Sequence, residues 1–181
     1  MRQFVYFSST ARTSGNFDTN ELMNSGRMDI AIHVIINAFF LSHNLRDDVK
    51  LHLVFYGMPD PPKHIEMLVK PETNLSKKDV ANLIKKILYK YKDGRKIEAL
   101  PGCFVEKKSL LNLVGELKRE GNNIFILDKK GENIRKVNIS ENSVFVIGDH
   151  NGLPKKELKR LKNIAKLISV GQKTYFARHI V

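Results

Sequence analysis

Ser143-Val-Phe-Val-Ile-Gly-Asp-His-Asn-Gly-Leu153 carries the reading of the fold. Its first five residues, rich in β-branched and aromatic side chains, give a buried-type strand. The glycines flanking Asp149-His-Asn151 end that strand in a tight loop. Pro154 then falls at the first position of a short helix, and Lys155 to Lys162 holds five Lys/Arg against Glu157. Ala165–Val170 reads as the last strand. A strand, a glycine loop, a helix and a further strand form the repeating unit of an α/β sheet.

Working back toward the N-terminus, the same alternation recurs. Asn123–Leu127 is a second buried-type strand, with Asp128-Lys-Lys-Gly131 as the turn that closes it. Lys107–Arg119 reads as a helix stopped by Gly121. Ser76 and Asp79 resemble a capping box, with Asp in place of Glu, opening a helix to about Tyr91. His64–Val69, Val49–Tyr56 and Gln3–Phe7 read as strands. From Met28 to His43 the apolar residues Ile30, Ala31, Val34, Ile35, Ala38 and Leu41 keep helical spacing. The pattern predicts one α/β domain with a mostly parallel sheet and helices on both faces. Ser8 to Arg27, with Ser, Thr, Asn and Gly throughout, is longer than an ordinary connection and is expected to be functional or disordered.

The composition narrows the classes. The chain has 181 residues, and the only cysteine is Cys103, which excludes an internal disulfide and a Cys-based zinc cluster. No apolar run reaches the roughly 18 residues of a membrane span. The N-terminus lacks a signal-peptide core, so a reducing cytoplasm is expected. Of 31 Lys+Arg and 19 Asp+Glu, residues 1–60 hold five and six, and the remaining 121 hold 26 and 13. The excess concentrates in Lys77–Lys96 and Lys155–Lys162. Such surface suits phosphates, and it also occurs as a plain solvated face in heat-adapted proteins.

Three loops follow apolar strands: Asp128 onward, Gly148-Asp-His-Asn-Gly152 and Gly171-Gln-Lys-Thr174. In open α/β sheets ligands bind beyond the carboxyl ends of strands, so these loops could wall a nucleotide-sized pocket. Each glycine alone is better explained by a tight strand-to-helix turn. Neither GxGxxG nor GxxxxGK[ST] is present. Asp29, His33 and Asn37 share one helix face beside the long loop that carries Arg12 and Arg27. Asp60, between prolines on a turn after a strand, is fixed where a carboxylate could accept a proton. Pro-Asp-Pro is also ordinary turn composition. The six histidines show no HxxxH or HExxH spacing, so no metal is expected.

Taken together the motifs resemble a known family. Val144–Leu153, the basic helix after it and Leu167-Ile-Ser-Val-Gly171 are similar to the cofactor region of SPOUT RNA methyltransferases. Thr13-Ser-Gly-Asn-Phe17, Gly26-Arg-Met-Asp29, Phe40-Leu-Ser-His43, Arg46-Asp-Asp-Val49 and Pro59-Asp-Pro-Pro62 resemble the archaeal tRNA pseudouridine-N1-methyltransferases, the TrmY family. The resemblance implies a C-terminal deep trefoil knot, a homodimer and S-adenosylmethionine held in the knot. It implies methylation of N1 of a pseudouridine in the T loop of tRNA, at tRNA position 54. Residues 1–120 would face the substrate and 121–181 would form the knotted cofactor part.

Carried onto this chain, the cofactor would touch Leu127, Gly148 and Asp149. The loop Val170, Gly171, Gln172, Lys173, Thr174 and Tyr175 would close around it. Arg12, Arg27 and Asp29 fall in substrate-facing motifs, with His33 a turn beyond as a further RNA contact. Asp60, then Asp29, are the carboxylates expected to act as general base. Two departures stand out. The third knot loop reads Ser169-Val-Gly-Gln172 where the family has Ser-Leu-Gly-Pro, and the family's His-Asn tail beyond Ile180 has no counterpart before Val181. That tail bears on cofactor closure and dimer strength. Two other readings share the basic surface: a related SPOUT enzyme acting on ribosomal RNA, and a non-catalytic RNA-binding module.

Overall fold

Buried on both faces, Phe4–Phe7 form the middle of strand β1 (Arg2–Ser8), which runs through the centre of one eight-stranded sheet. A computed structural model of the chain describes residues 1–41, 44–69, 76–171 and 177. In chain order, β1 is followed by α1 (Met28–Phe39), β2 (Val49–Phe55), β3 (Lys63–Leu68), α2 (Val80–Tyr89), β4 (Ile97–Leu100) and β5 (Cys103–Glu106). Then come α3 (Leu110–Arg119), β6 (Asn123–Asn133), β7 (Ser143–Ile147), α4 (Lys155–Leu161) and β8 (Lys166–Ser169). The sheet order is β4-β5-β3-β2-β1-β7-β6-β8. Strands β2, β1, β7, β6 and β8 are mutually parallel, whereas β3 is antiparallel to β2 and to β5, and β4 is antiparallel to β5.

Side-chain alternation divides the core between the two faces. Leu51, Leu53 and Phe55 of β2 join Tyr6, α1 and α2 in one apolar cluster. Val54, Val5 and Phe7 point the other way and pack with Leu110, Leu113, Val114 and Leu117 of α3 and Leu161 of α4. Each fully buried Leu, Ile or Phe contributes roughly 1.5–3 kcal/mol, so these two layers fix the sheet between its helices. The mostly parallel α/β architecture with helices on both faces is therefore as the sequence pattern predicts.

Several boundaries differ. Helix α1 ends at Phe39, because Phe40 turns to extended backbone (φ −97°, ψ 121°) and bridges to Leu45. Ser76 makes no side-chain cap; a 3-10 turn at Lys77–Asp79 leads into α2. Helix α3 starts at Leu110, where Ser109 Oγ accepts the Asn112 N–H, three residues later than the apolar pattern suggests. Asp128–Gly131 is not a strand-ending turn: β6 continues to Asn133, with a register shift against β8 between Leu127 and Glu132. A Cβ on Gly131 would lie 2.5 Å from the Ile168 backbone, so this close approach needs glycine. Strands β4 and β5, joined through Pro101-Gly102, went unread because each spans only four residues.

Candidate cofactor and RNA site

The strands deliver their loops to a topological switch point. From the carboxyl end of β1 the chain passes through α1 to β2 on one side. From the carboxyl end of β7 it passes through α4 to β8 on the other. Adjacent parallel strands whose continuations diverge leave a crevice between them. Across it, Asp149 Oδ2 accepts hydrogen bonds from the Ser9 N–H (2.7 Å) and Ser9 Oγ (2.8 Å). Asp149 Oδ1 accepts the Asn151 N–H at 2.8 Å, and Asn151 Nδ2 donates to Ser9 Oγ at 3.1 Å. Asp149 thus fastens the loop after β7 to the loop after β1.

On the β7 side lies a cavity of about 180 Å³. Ile126, Leu127, Leu153 and Leu158 give it apolar walls, and Gly148 and Gly152 line it with bare backbone. A Cβ on Gly148 would stand 2.7 Å from Gly152 C and 2.9 Å from its Cα, so no side chain fits there. Gly152 itself sits at φ +75°, which favours glycine. Apolar walls with exposed peptide groups suit a flat, partly polar ring such as adenine. Leu127, Gly148 and Asp149 therefore meet at one cavity. Val170 and Gly171 follow β8, which pairs with β6 through Leu127 and Ile168, but they are not among the described residues lining it. Gln172, Lys173, Thr174 and Tyr175 lie outside the described residues.

On the β1 side a second cavity, about 360 Å³, is lined by Ser9, Thr10, Arg12, Gly26, Tyr56 and Gly57, with Met58 at its rim. The long polar segment is pinned here. Thr10 Oγ1 donates to Gly26 O (2.9 Å), Gly57 N–H to Ala11 O (3.0 Å) and Thr13 Oγ1 to Gly57 O (2.8 Å). A Cβ on Gly57 would meet Thr10 O at 2.2 Å and Ala11 O at 2.4 Å. The guanidinium Nε of Arg12 is buried and has no hydrogen-bond partner among the described residues. Such an atom is costly to leave unpaired, which fits a group kept for an anionic ligand.

Arg27 and Asp29 form a two-pronged ion pair at the start of α1, Nε–Oδ1 and Nη2–Oδ2 both 3.0 Å. Arg27 adopts left-handed backbone (φ 60°), the sole non-glycine to do so among the described residues. Its hydrogen bonds hold the Asp29 carboxyl below the usual range, although burial opposes this. His33 is exposed one turn on. Asp60 lies apart from both cavity walls: Lys107 and Lys63 ammonium groups bond its two oxygens and depress its pKa. Lys63 is itself buried, with its Nζ 3.8 Å from the Tyr91 ring centroid. Asp29 and Asp60 are both ionised and both already engaged.

Sequence reasoning missed Ser9, Tyr56 and Lys63. The Tyr56 hydroxyl donates to Glu157 Oε1 of α4 (2.8 Å) and accepts the Leu110 N–H of α3 (3.1 Å). Burial, then the Glu157 hydrogen bond, pushes its pKa up to about 12. Tyr56 was legible only as the last residue of a strand. Its partners lie 54 and 101 residues away, so nothing local marked it.

The fold has a solved counterpart. Over 99% of this chain and 93% of the other, it superposes on Archaeoglobus fulgidus Nep1, crystallised bound to S-adenosylhomocysteine, with a TM-score of 0.64 at 16% identity. Residues 1–181 match the family model described as "Putative SAM-dependent RNA methyltransferase", and the chain belongs to that family. Among curated proteins, the tRNA (pseudouridine(54)-N(1))-methyltransferase of Methanococcoides burtonii is 36% identical over 191 aligned residues, covering 100% of this chain and 92% of the relative. The protein of the same name from Methanocaldococcus jannaschii is 36% identical, covering 100% and 93%. That from Thermococcus kodakarensis is 32% identical, covering 100% and 95%.

Proposed function

We propose that this chain transfers a methyl group from S-adenosylmethionine to N1 of a pseudouridine in the T loop of tRNA, at position 54. The observation that carries the reading is the Ser9–Asp149 junction, which sets a glycine-walled cavity against one holding an unpaired arginine nitrogen. Relatives of that name, at least 31% identical over the full chain, supply the substrate. Residues 121–181 serve as the cofactor part and 1–120 as the substrate-facing part. The working form is a homodimer in the cytoplasm, with the C-terminal segment knotted.

S-adenosylmethionine, when bound, supplies an electrophilic methyl group. Leu127 and Leu153 pack the adenine, and the Gly148 and Gly152 backbone gives it polar contacts. Asp149 holds the loop after β7 in place against Ser9. Arg12, Arg27 and His33 grip the RNA backbone, so the target base reaches the pocket after leaving its stack. Methylation at N1 requires that its proton be lost. Asp29 and Asp60 are the ionised carboxylates that could accept it at an oxygen, but their arginine and lysine partners weaken them as bases, and Asp60 also lies apart from both cavity walls. Their contribution then falls at the small end of the ~10²–10⁴-fold typical of general bases, and orientation dominates.

The test is methyl transfer from labelled S-adenosylmethionine to two T-arm hairpins differing only in uridine or pseudouridine at the target. Saturable cofactor binding lost in Gly148→Val, with transfer to the pseudouridine hairpin alone, is expected. Equal transfer to both hairpins, transfer to ribosomal RNA instead, or RNA binding by a protein that takes up no cofactor overturns the proposal.

A further inference from the structure

On the α3 face of the sheet, away from the residues lining either cavity, two histidines meet across strands. Antiparallel pairing sets His52 of β2 opposite Glu66 of β3, and Val54 opposite His64, so that all three polar side chains share one face. His52 Nδ1 lies 2.9 Å from His64 Nε2 and 3.9 Å from Glu66 Oε2. The ligating atoms of the three residues are all within 4.8 Å of one another. Both imidazoles are 1% exposed. We propose that His52, His64 and Glu66 form a binding site for a divalent transition metal, Zn²⁺ in preference to Mg²⁺ or Ca²⁺.

Geometry, surroundings and donor chemistry each support the site. Four-coordinate zinc, with bonds of about 2.0–2.2 Å, separates its donor atoms by roughly 3.3 Å. The observed 2.9 and 3.9 Å bracket that spacing, and the third pair, within 4.8 Å, closes with a side-chain shift of up to about 1.5 Å. A cavity of about 70 Å³ adjoins the three residues, enough for an ion and a water as fourth ligand.

The far nitrogen of His64, Nδ1, is 3.0 Å from Glu106 Oε1 of β5, and Lys108 Nζ holds the same oxygen at 2.9 Å. A carboxylate on the outer nitrogen fixes the ring and aims the other nitrogen's lone pair inward, as is usual for metal-bound imidazole. Lys96 at 3.1 Å and Lys50 at 3.5 Å hold the same Glu66 Oε2 that faces His52, so an entering metal ion would displace these ammonium contacts from that oxygen. The cavity is lined by Lys50, Lys96 and Lys108 against Glu66, Glu116 of α3 and Glu120 just beyond it, a neutral set to which Glu106 behind His64 adds one negative charge. The balance of one negative charge favours a cation over an anion. Two imidazoles select a borderline metal, since Mg²⁺ and Ca²⁺ prefer oxygen donors throughout. A bound ion would tie β2 to β3 and, through Glu106, to the β4–β5 hairpin at the sheet's edge.

The test uses the full chain stripped with chelator, titrated with Zn²⁺ by calorimetry and with Co²⁺ by visible absorption. One equivalent, with the intense bands of four-coordinate cobalt, is expected. Glu66→Gln should abolish saturable binding, and Glu106→Gln should weaken it about 10–100-fold. Far-ultraviolet circular dichroism reports folding, and if Glu66→Gln fails to fold the graded loss in Glu106→Gln decides. His150→Ala, which removes an exposed imidazole, should leave the stoichiometry at one. No saturable binding, six-coordinate cobalt, or wild-type affinity in both folded glutamine variants would overturn the proposal and leave a hydrogen-bonded polar core.

Discussion

Gly57→Ala separates the two cavities more cleanly than any ligand-contacting change. The added Cβ would stand 2.2 Å from Thr10 O and 2.4 Å from Ala11 O, both backbone atoms that cannot rotate away. Restoring ordinary contact requires the Thr10–Arg12 segment to move by about 1 Å, a shift that interiors resist. Overpacking of this kind costs roughly 1–3 kcal/mol, and losing the Gly57 N–H to Ala11 O bond adds about 1 kcal/mol. For a chain of this size, some 2–4 kcal/mol lowers the melting temperature by roughly 4–16 °C. Displacing Arg12 by about 1 Å should lower methyl transfer on the order of 10²-fold. The walls of the cavity beside β7 are untouched, so cofactor affinity should fall no more than a few-fold through Ser9. The assays are calorimetric S-adenosylmethionine binding, thermal unfolding and single-turnover transfer to tRNA. Transfer within two-fold of wild type, in a variant whose melting temperature has dropped, would refute the placement of this loop on the RNA side. A cofactor affinity lost as completely as turnover would refute the separation of the cavities.

Other perturbations address single contacts. Arg12→Ala should weaken tRNA binding and lower the slope of log affinity against log salt by about 1, with S-adenosylmethionine affinity unchanged; an unaltered slope removes Arg12 from the phosphate contacts. Tyr56→Phe leaves the Leu110 N–H and Glu157 without their shared partner and should cost ~1–3 kcal/mol in denaturant unfolding, whereas a loss under ~0.3 kcal/mol would mean that water replaces the hydroxyl. Asp60 and Asp29 have pKa values lowered on folding, so the stability they contribute is fully present above the ordinary carboxylate range near ~4 and is lost as pH falls through the depressed values. Unfolding free energy should therefore drop between pH 5 and 3, less steeply in Asp60→Asn, and an identical slope in that variant contradicts the ion-pair assignment. Because both groups stay ionised, turnover should show no acid limb between pH 5 and 8; a limb abolished by Asp60→Asn would instead make Asp60 a base with a raised pKa.

What was readable in the chain was what local pattern controls. Alternation and helical spacing marked β1, β2, β3, β7, β8 and all four helices to within a few residues, since each buries a regular apolar face, but only the first half of β6. Gly148 was readable as a loop glycine after an apolar strand, whereas Leu127 was placed beside the cofactor by the family resemblance and not by a strand end, since β6 runs on to Asn133. Contacts between distant segments were not readable. The Asp149 carboxylate could be seen beside His150, but not its bonds to Ser9, 140 residues away. Asp60 looked free on a proline turn, whereas Lys63 and Lys107 occupy it, and Lys107 comes from a segment 47 residues on. His52 and His64 have no recognisable spacing because antiparallel register, rather than a helix turn, brings them together.

The place of β1 between β2 and β7 has a consequence for synthesis. As the chain leaves the ribosome, β1 can pair with β2 early, but its other edge has no partner until residues 143–147 appear. At about 5–20 residues per second, the 140 residues separating Ser9 from Asp149 take roughly 7–28 s to make. Throughout that interval a strand buried on both faces in the finished protein presents an open edge, the kind of template that recruits wrong partners. The same delay postpones the Ser9–Asp149 junction, so on the proposed function the nascent protein stays inactive until the loop after β7 has been made. Amino-terminal fragments that end before β7 are thus expected to be sticky and catalytically silent.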